Sequence, residues 1–200
     1  MCAGRGHAGV LKCLKTFLKK QIRQDLRGGK GRQVAQHDEE LKEGLEKVLR
    51  VFAGYYDINR EAPLVPFDAE AEFRMHGEEF LLIRSAKITE MDSREFAFFA
   101  TREVLTGEEF TELQEKAWDA GLARVKVGAH HRNSDVLLVI LAWKVDADAV
   151  RQIRRSRHYR SYRFGLRGWS ESRTAVAELS TGKRYFSRTG DTLKRYLKSV

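Results

Sequence analysis

The stretch Asp135–Trp143, DVLLVILAW, is the one long, nearly unbroken apolar run in the chain. Eight apolar residues behind a single Asp, six of them Val, Ile or Leu, are too few to cross a bilayer. They suit a strand covered on both faces, so that neither alternating row of side chains meets water. Segments of helical periodicity precede and follow this run. The expected fold class is therefore α/β (α+β): a mixed central sheet with flanking helices, in a single domain preceded by a basic amphipathic N-terminal helix.

Working upstream, Glu95–Leu105 reads as a strand carrying Phe96, Phe98 and Phe99. Before it, Ala69, Ala71, Phe73 and Met75 alternate with Asp68, Glu70, Glu72 and Arg74, which predicts a half-buried strand with an acidic outer face. His76-Gly77 would turn that strand into a partner over Glu79–Ile88, making a hairpin. The segment Tyr55–Pro66 holds both prolines and reads as a loop, its tyrosines either a recognition surface or the closing edge of the core. A helix is expected from an N-cap at Asp38 to Phe52, with Leu41, Leu45, Val48, Leu49 and Phe52 as its apolar stripe and Gly54 as its stop.

At the N-terminus, Val10, Leu14, Phe17, Leu18, Ile22 and Leu26 recur at helical spacing among Lys12, Lys15, Lys19, Lys20 and Arg23. A basic amphipathic helix over residues 10–26 suits a membrane surface or RNA, or docks its stripe on an acidic body. Gly28, Gly29 and Gly31 end it, so the expected organisation is an arm and hinge over residues 1–33 and one α/β domain over residues 34–200.

Downstream of Leu105, Thr106 with Glu109 three residues later is a capping box that opens a helix through Phe110, Leu113, Ala117 and Trp118 to about Gly121. A short strand over Ala123–Val127 and a loop over Gly128–Ser134 would lead into the central strand. Past it, Asp146 should cap a helix with Ala149, Val150 and Ile153 facing inward. Strands are expected over Tyr162–Leu166, Thr174–Leu179 and Arg184–Phe186, the last after a Thr181-Gly182 turn, with a terminal helix from Asp191. No internal repeat is visible.

The net charge of +9 conceals a segregation. Residues 1–33 carry nine Lys/Arg against Asp25, or +8; residues 34–150 carry fourteen against twenty-four acids, or −10; residues 151–200 carry fourteen against Glu171, Glu178 and Asp191, or +11. Such asymmetry points either to an acidic partner such as nucleic acid or to complementarity within the chain. Cys2 and Cys13, both at one end, read as reduced thiols, and the absence of a continuous apolar leader fits a cytoplasmic protein.

The arginine stretch is the strongest functional signal. Arg151, Arg154, Arg155, Arg157, Arg160, Arg163 and Arg167 interleave with His158, Tyr159, Tyr162, Phe164 and, just beyond, Trp169. Guanidinium groups present forked donors to phosphate and aromatic rings stack on unpaired bases, so the seven arginines are the expected phosphate contacts, with Tyr159, Tyr162 or Trp169 stacking. Pairing with the acids Glu70, Glu72, Glu108, Glu109, Glu112 and Glu115 is the competing expectation.

Enzyme signatures are weak. His130 and His131 are adjacent and point apart, with no third ligand at metal spacing; the serines sit in no nucleophile elbow. The row Asp68, Glu70 and Glu72 offers oxygen ligands of the kind that hold Mg²⁺. The predicted order of helix, hairpin, strand, helix, strand is also similar to the restriction-endonuclease-like core, in which an Asp on one strand precedes a Glu-x-Lys on the next. Asp68 matches the first acid, but Leu82-Ile83-Arg84-Ser85-Ala86-Lys87 has no acid two residues before Lys87. A metal-dependent phosphodiesterase thus stays an alternative; no cofactor or metal is implied otherwise.

From Arg160 to Leu179, with the turn Phe164-Gly165-Leu166-Arg167-Gly168-Trp169, a following apolar strand, Gly182-Lys183-Arg184-Tyr185 and the Lys-rich end, the chain resembles a family of uncharacterised bacterial proteins of about this length. The resemblance runs from about Leu41 onward and implies a single fold without an assigned activity. Gly165 and Gly168 also suggest a tight bend that brings the backbone against a neighbour.

Overall fold

The computed structural model describes residues 33–73, 92–128 and 131–198. The chain forms two units, residues 1–39 and 40–200, and apart from the first turns of one helix the description below concerns the second. The basic arm, its expected apolar stripe over residues 10–26 and the expected strand Glu79–Ile88 lie outside the described residues.

In chain order the elements are helix α1 (residues 33–52), strands β1 (Tyr56–Asn59), β2 (Ala69–Phe73) and β3 (Asp92–Leu105), helix α2 (Gly107–Arg124), strand β4 (His131–Val145), helix α3 (Ala147–Arg155), strands β5 (Tyr159–Ser161), β6 (Trp169–Glu178) and β7 (Lys183–Phe186), and a 3₁₀ helix (Gly190–Arg195). The strands form one seven-stranded mixed sheet in the order β1-β2-β3-β4-β6-β5, with β7 also on β6. β3, β4 and β6 run parallel, and every other pairing is antiparallel. β5 covers the outer edge of β6 at Trp169–Glu171, and β7 covers it at Ala175–Glu178.

The central run behaves as its composition demands. Leu137, Val139 and Leu141 enter one core with Leu41, Leu45, Val48, Leu49 and Phe52 of α1 and with Leu193, Tyr196 and Leu197. Val136, Leu138, Ile140 and Ala142 enter a second core with Phe110, Leu113 and Ala117 of α2 and Ala149 and Ile153 of α3. Alternation along one strand therefore divides the molecule into two apolar layers, each roofed by helix. Phe52 is the keystone of the first: its ring stacks on Tyr196 at 4.2 Å, meets Phe99 edge-on at 4.9 Å and lies 4.9 Å from Tyr56.

Several expectations are corrected. α1 is already helical at residue 33, so Asp38 lies inside it; no Gly or Pro between residues 32 and 38 breaks the helix. The proline segment contains β1, and Tyr56 is buried while Tyr55 is exposed. The acidic face of β2 is not wholly solvated, because Glu70 is 4% exposed and pairs with Arg124. The neighbours of β2 are β1 and β3. β3 starts at Asp92, and β4 starts at His131 within the expected loop, because parallel pairing to both neighbours propagates past the apolar run. α2 continues through Gly121 to Arg124, which removes the strand over Ala123–Val127: Gly121 has a Val136 methyl carbon only 2.5 Å from where its Cβ would stand, so the glycine serves close packing and not a stop. The expected strand Tyr162–Leu166 is instead a 3₁₀ turn after β5, β6 begins at Trp169, and the terminal helix is 3₁₀.

Other local signals hold. Thr106 caps α2, its hydroxyl accepting from the Glu109 N–H at 3.2 Å; the Glu109 carboxylate reaches Arg102 at 2.8 Å and so does not close the box. Asp146 occupies the N-cap of α3 without a side-chain bond to it. Among the described residues, no helix is long and apolar enough to cross a membrane.

Replacing Phe52 with Ala should cost about 3–5 kcal/mol, because the aromatic cluster around it cannot collapse into the space left. The exposed neighbour Val51→Ala should stay within about 0.5 kcal/mol. Urea unfolding of the two variants beside the parent checks both.

Candidate functional site

The arginine stretch occupies one border of the sheet. Arg151, Arg154 and Arg155 are exposed on α3, Arg157 and Arg160 on and before β5, and Arg163 on the following turn; Arg167 is half-buried. Arg151 pairs with Asp148 at 2.9 Å. Among the described residues, Arg154, Arg155, Arg157, Arg160, Arg163 and Arg167 have no carboxylate partner. Three of the six acids expected to absorb them are engaged elsewhere: Glu70 by Arg124, Glu72 by Arg94 at 3.9 Å and Glu109 by Arg102 at 2.8 Å. Two arginines lie on rings instead, Arg157 over Tyr159 and Arg160 over Tyr162, each 5.7 Å from the centroid.

The segment from Tyr162 to Gly168 is a tightly bonded projection. The Tyr162 N–H donates to the Gly168 carbonyl at 2.9 Å, and the Arg167 and Gly165 N–H groups both donate to the Tyr162 carbonyl at 3.1 Å. Arg163 and Phe164 are left-handed, with φ of 48° and 56°, a costly conformation for side chains of this size. Gly168, at φ 77°, lies against β4, with the Arg132 carbonyl oxygen 1.9 Å from where its Cβ would stand. The close approach that the paired glycines suggested is thus to main chain. At the tip, Phe164 is exposed to the extent of a free side chain (102%) and Leu166 to 85%.

Two side-chain pairs tie the base of this projection to the sheet. His131 is buried, with Nδ1 2.7 Å from the Arg167 carbonyl oxygen and Nε2 3.0 Å from Ser134 Oγ. A carbonyl oxygen only accepts, so Nδ1 donates, and in the neutral ring Nε2 accepts from Ser134. The Tyr162 hydroxyl bonds Ser170 Oγ at 2.9 Å, and its ring meets His131 edge-on at 5.4 Å. The carbonyl partner of His131 lies 36 residues away, so no local pattern marks this histidine. Phe164 stands outside the expected stacking set, although Gly165 and Gly168 just after it mark the turn that exposes it.

Of the expected stacking residues, Tyr159 stands half in solvent, Tyr162 is half-buried with its hydroxyl used, and Trp169 is half-buried at the start of β6.

On the sheet face opposite Ser134, the parallel register sets Glu95, Asp135 and Glu171 side by side. Asp135 is 2% exposed and pairs with Arg173 at 2.8 Å. Burial raises its carboxyl to about 6 and the neighbouring carboxylates add to that, against the pull of Arg173. Glu95 accepts a hydrogen bond from the Tyr56 hydroxyl, and burial beside that carboxylate pushes the Tyr56 phenol upward. Glu178 is held below the usual range: burial opposes this, but bonds from Thr181, the Val145 N–H and Tyr185 prevail.

The nuclease-like row is committed to neighbours. Asp68 accepts from Thr101 N at 2.6 Å and Oγ1 at 2.9 Å, and Glu70 and Glu72 hold the ion pairs above. Among the described residues, no group of three or more His, Cys, Asp or Glu is placed to hold a metal ion. Lys87 lies outside those residues.

Gly168→Ala should destabilise by about 2–4 kcal/mol, combining left-handed strain with a main-chain clash. Gly165→Ala, at φ 88° in open space, should cost only about 1–2 kcal/mol in the same denaturant titration. Asp135 predicts a pH dependence. Between about pH 4 and 6 the unfolded carboxyl has lost its proton while the folded one retains it, so stability falls as pH rises through that window. The full effect is at most about 3 kcal/mol. Asp135→Asn should remove that slope when unfolding free energies are compared from pH 4 to 7.

In comparison with known proteins, residues 40–199 match the model of the family described as Domain of unknown function (DUF8052). No curated protein and no solved structure matches, so the likeness to the restriction-endonuclease-like core is not confirmed.

Proposed function

The chain belongs to the DUF8052 family, whose description assigns no activity, and from the geometry of its arginine border we propose that it is a non-enzymatic, cytoplasmic nucleic-acid-binding protein. Six arginines with no carboxylate partner among the described residues, on one border, carry this reading. Charges brought together inside a protein normally find counter-charges; those left in solvent on one side attract a ligand of opposite sign. Arginine suits phosphate better than lysine does because its planar fork bonds two oxygens at once.

Arg154, Arg155, Arg157, Arg160, Arg163 and Arg167 hold the phosphates in this proposal, and Arg151 adds charge while shared with Asp148. The stretch runs from the last turn of α3 through β5 into the projection, a track suited to a continuous backbone.

Binding should be strongly salt dependent. If six phosphates are neutralised, log K should fall with log salt at a slope of roughly −4 for a single strand, from counterion release. Arg160→Ala with Arg163→Ala should flatten that slope by roughly 1.4. Fluorescence anisotropy of labelled DNA and RNA over a salt series measures both; salt-independent binding, or none, would reject the reading.

A further inference from the structure

We infer that the projection Tyr162–Gly168 selects unpaired nucleotides, with Phe164 as the stacking platform and Tyr159 as a second aromatic surface on the same arginine track. This inference rests on the nucleic-acid reading above and narrows it from polyanions in general to single strands.

The starting point is the tip. A duplex turns its phosphates outward and its base faces inward, so a protein holding a duplex by charge alone gains nothing from an aromatic ring standing free in water. An unpaired strand offers a flat π-face with each base, which an exposed ring binds whatever the sequence. Phe164 makes almost no contact with its own protein. Tyr159, half exposed, carries Arg157 over its ring, so a guanidinium and an aromatic face are presented together.

The platform is pre-organised. Two successive left-handed residues put the Phe164 side chain outward, and the conformation is held by the Tyr162–Gly168 and Arg167–Tyr162 main-chain bonds. His131 fixes the Arg167 carbonyl and Ser170 fixes the Tyr162 hydroxyl, both from the ends of central strands. Strain kept in place by such supports marks a site whose geometry is used. A rigid ring also loses little entropy when a base stacks on it.

The same tip, with Leu166 beside Phe164, has the chemistry of a wedge for an anionic membrane surface. The arginines favour the strand: they follow α3, β5 and the turn as a track, and two of them are layered on Tyr159 and Tyr162. A wedge needs no such cation–aromatic layers.

The deciding experiment uses the full chain, with anisotropy of a labelled 20-nucleotide single strand and of the matching duplex at fixed salt, and co-sedimentation with vesicles containing phosphatidylserine. Phe164→Ala should weaken single-strand binding about 5- to 150-fold, the range for loss of one base–aromatic stack. It should leave duplex binding within about twofold and the salt slope unchanged, since no charge is removed. Phe164→Trp should restore affinity, and its indole fluorescence should be quenched by the single strand alone. Because Phe164 touches almost nothing in the protein, its variants fold normally. If Phe164→Ala leaves single-strand binding intact, or weakens single strand and duplex equally, the stacking inference fails and the nucleic-acid reading stands. If the parent binds neither nucleic acid, both fail. Vesicle binding that disappears with Phe164→Ala, in a protein that ignores nucleic acid, makes the tip a membrane wedge and overturns both.

Discussion

Burial of β4 on both faces is the constraint on which the rest depends. A strand whose odd and even side chains are all apolar is stable only if each face of the sheet is roofed, and in this chain the roofs are α1 with the C-terminal 3₁₀ segment on one side and α2 with α3 on the other. The helices stand where they do because Leu137, Val139 and Leu141 need one cover and Val136, Leu138 and Ile140 the other. Parallel neighbours follow from the same condition, since a strand that enters and leaves through crossover helices pairs in parallel with the strands they connect. From β3 through α2 to β4, and from β4 through α3 toward β6, the chain makes that connection twice.

The proposed site lies where this order ends. β6 has β4 on one side, and on the other only three residues of β5 and four of β7. The chain between α3 and β6 therefore has little core to join, and its side chains are left to solvent. A charged edge also protects a sheet from pairing with another chain. Here the charges continue past the edge strand into a projection whose exposed apolar tip does the opposite of protecting. The supports of that tip are drawn from the well-packed ends of β4 and β6, so a rigid scaffold holds an exposed element in place.

The buried polar groups divide by face. Ser134, Ser170 and His131 bond one another's neighbourhood and the projection, whereas Asp135, in register with Glu95 and Glu171 on the other face, keeps Arg173 as partner and titrates near 6. One residue of offset along β4 thus decides whether a polar side chain anchors the projection or joins a row of carboxylates.

Much of this was legible in residue order. The double-sided strand, the stripe of α1, the Thr106 cap and the tight bend at Gly165 and Gly168 are local patterns, and each has a local physical cause. The segregation of charge was visible as well, but whether the arginines of residues 151–167 would meet the acids of the middle segment was not. That depended on distances between elements: Arg124, Arg94 and Arg102 reach Glu70, Glu72 and Glu109 first. The role of Gly121 is contact with Val136 across an interface, and the partners of His131 come from residue 134 and from residue 167, so neither shows in local order. The sequence by itself determined the apolar periodicities, the caps and turns, and which side chains carry charge, because those act over a few residues. Only the tertiary structure decided which charges are neutralised, which aromatic ring stands in solvent and which histidine holds it there, because each is settled by the company a residue keeps in space.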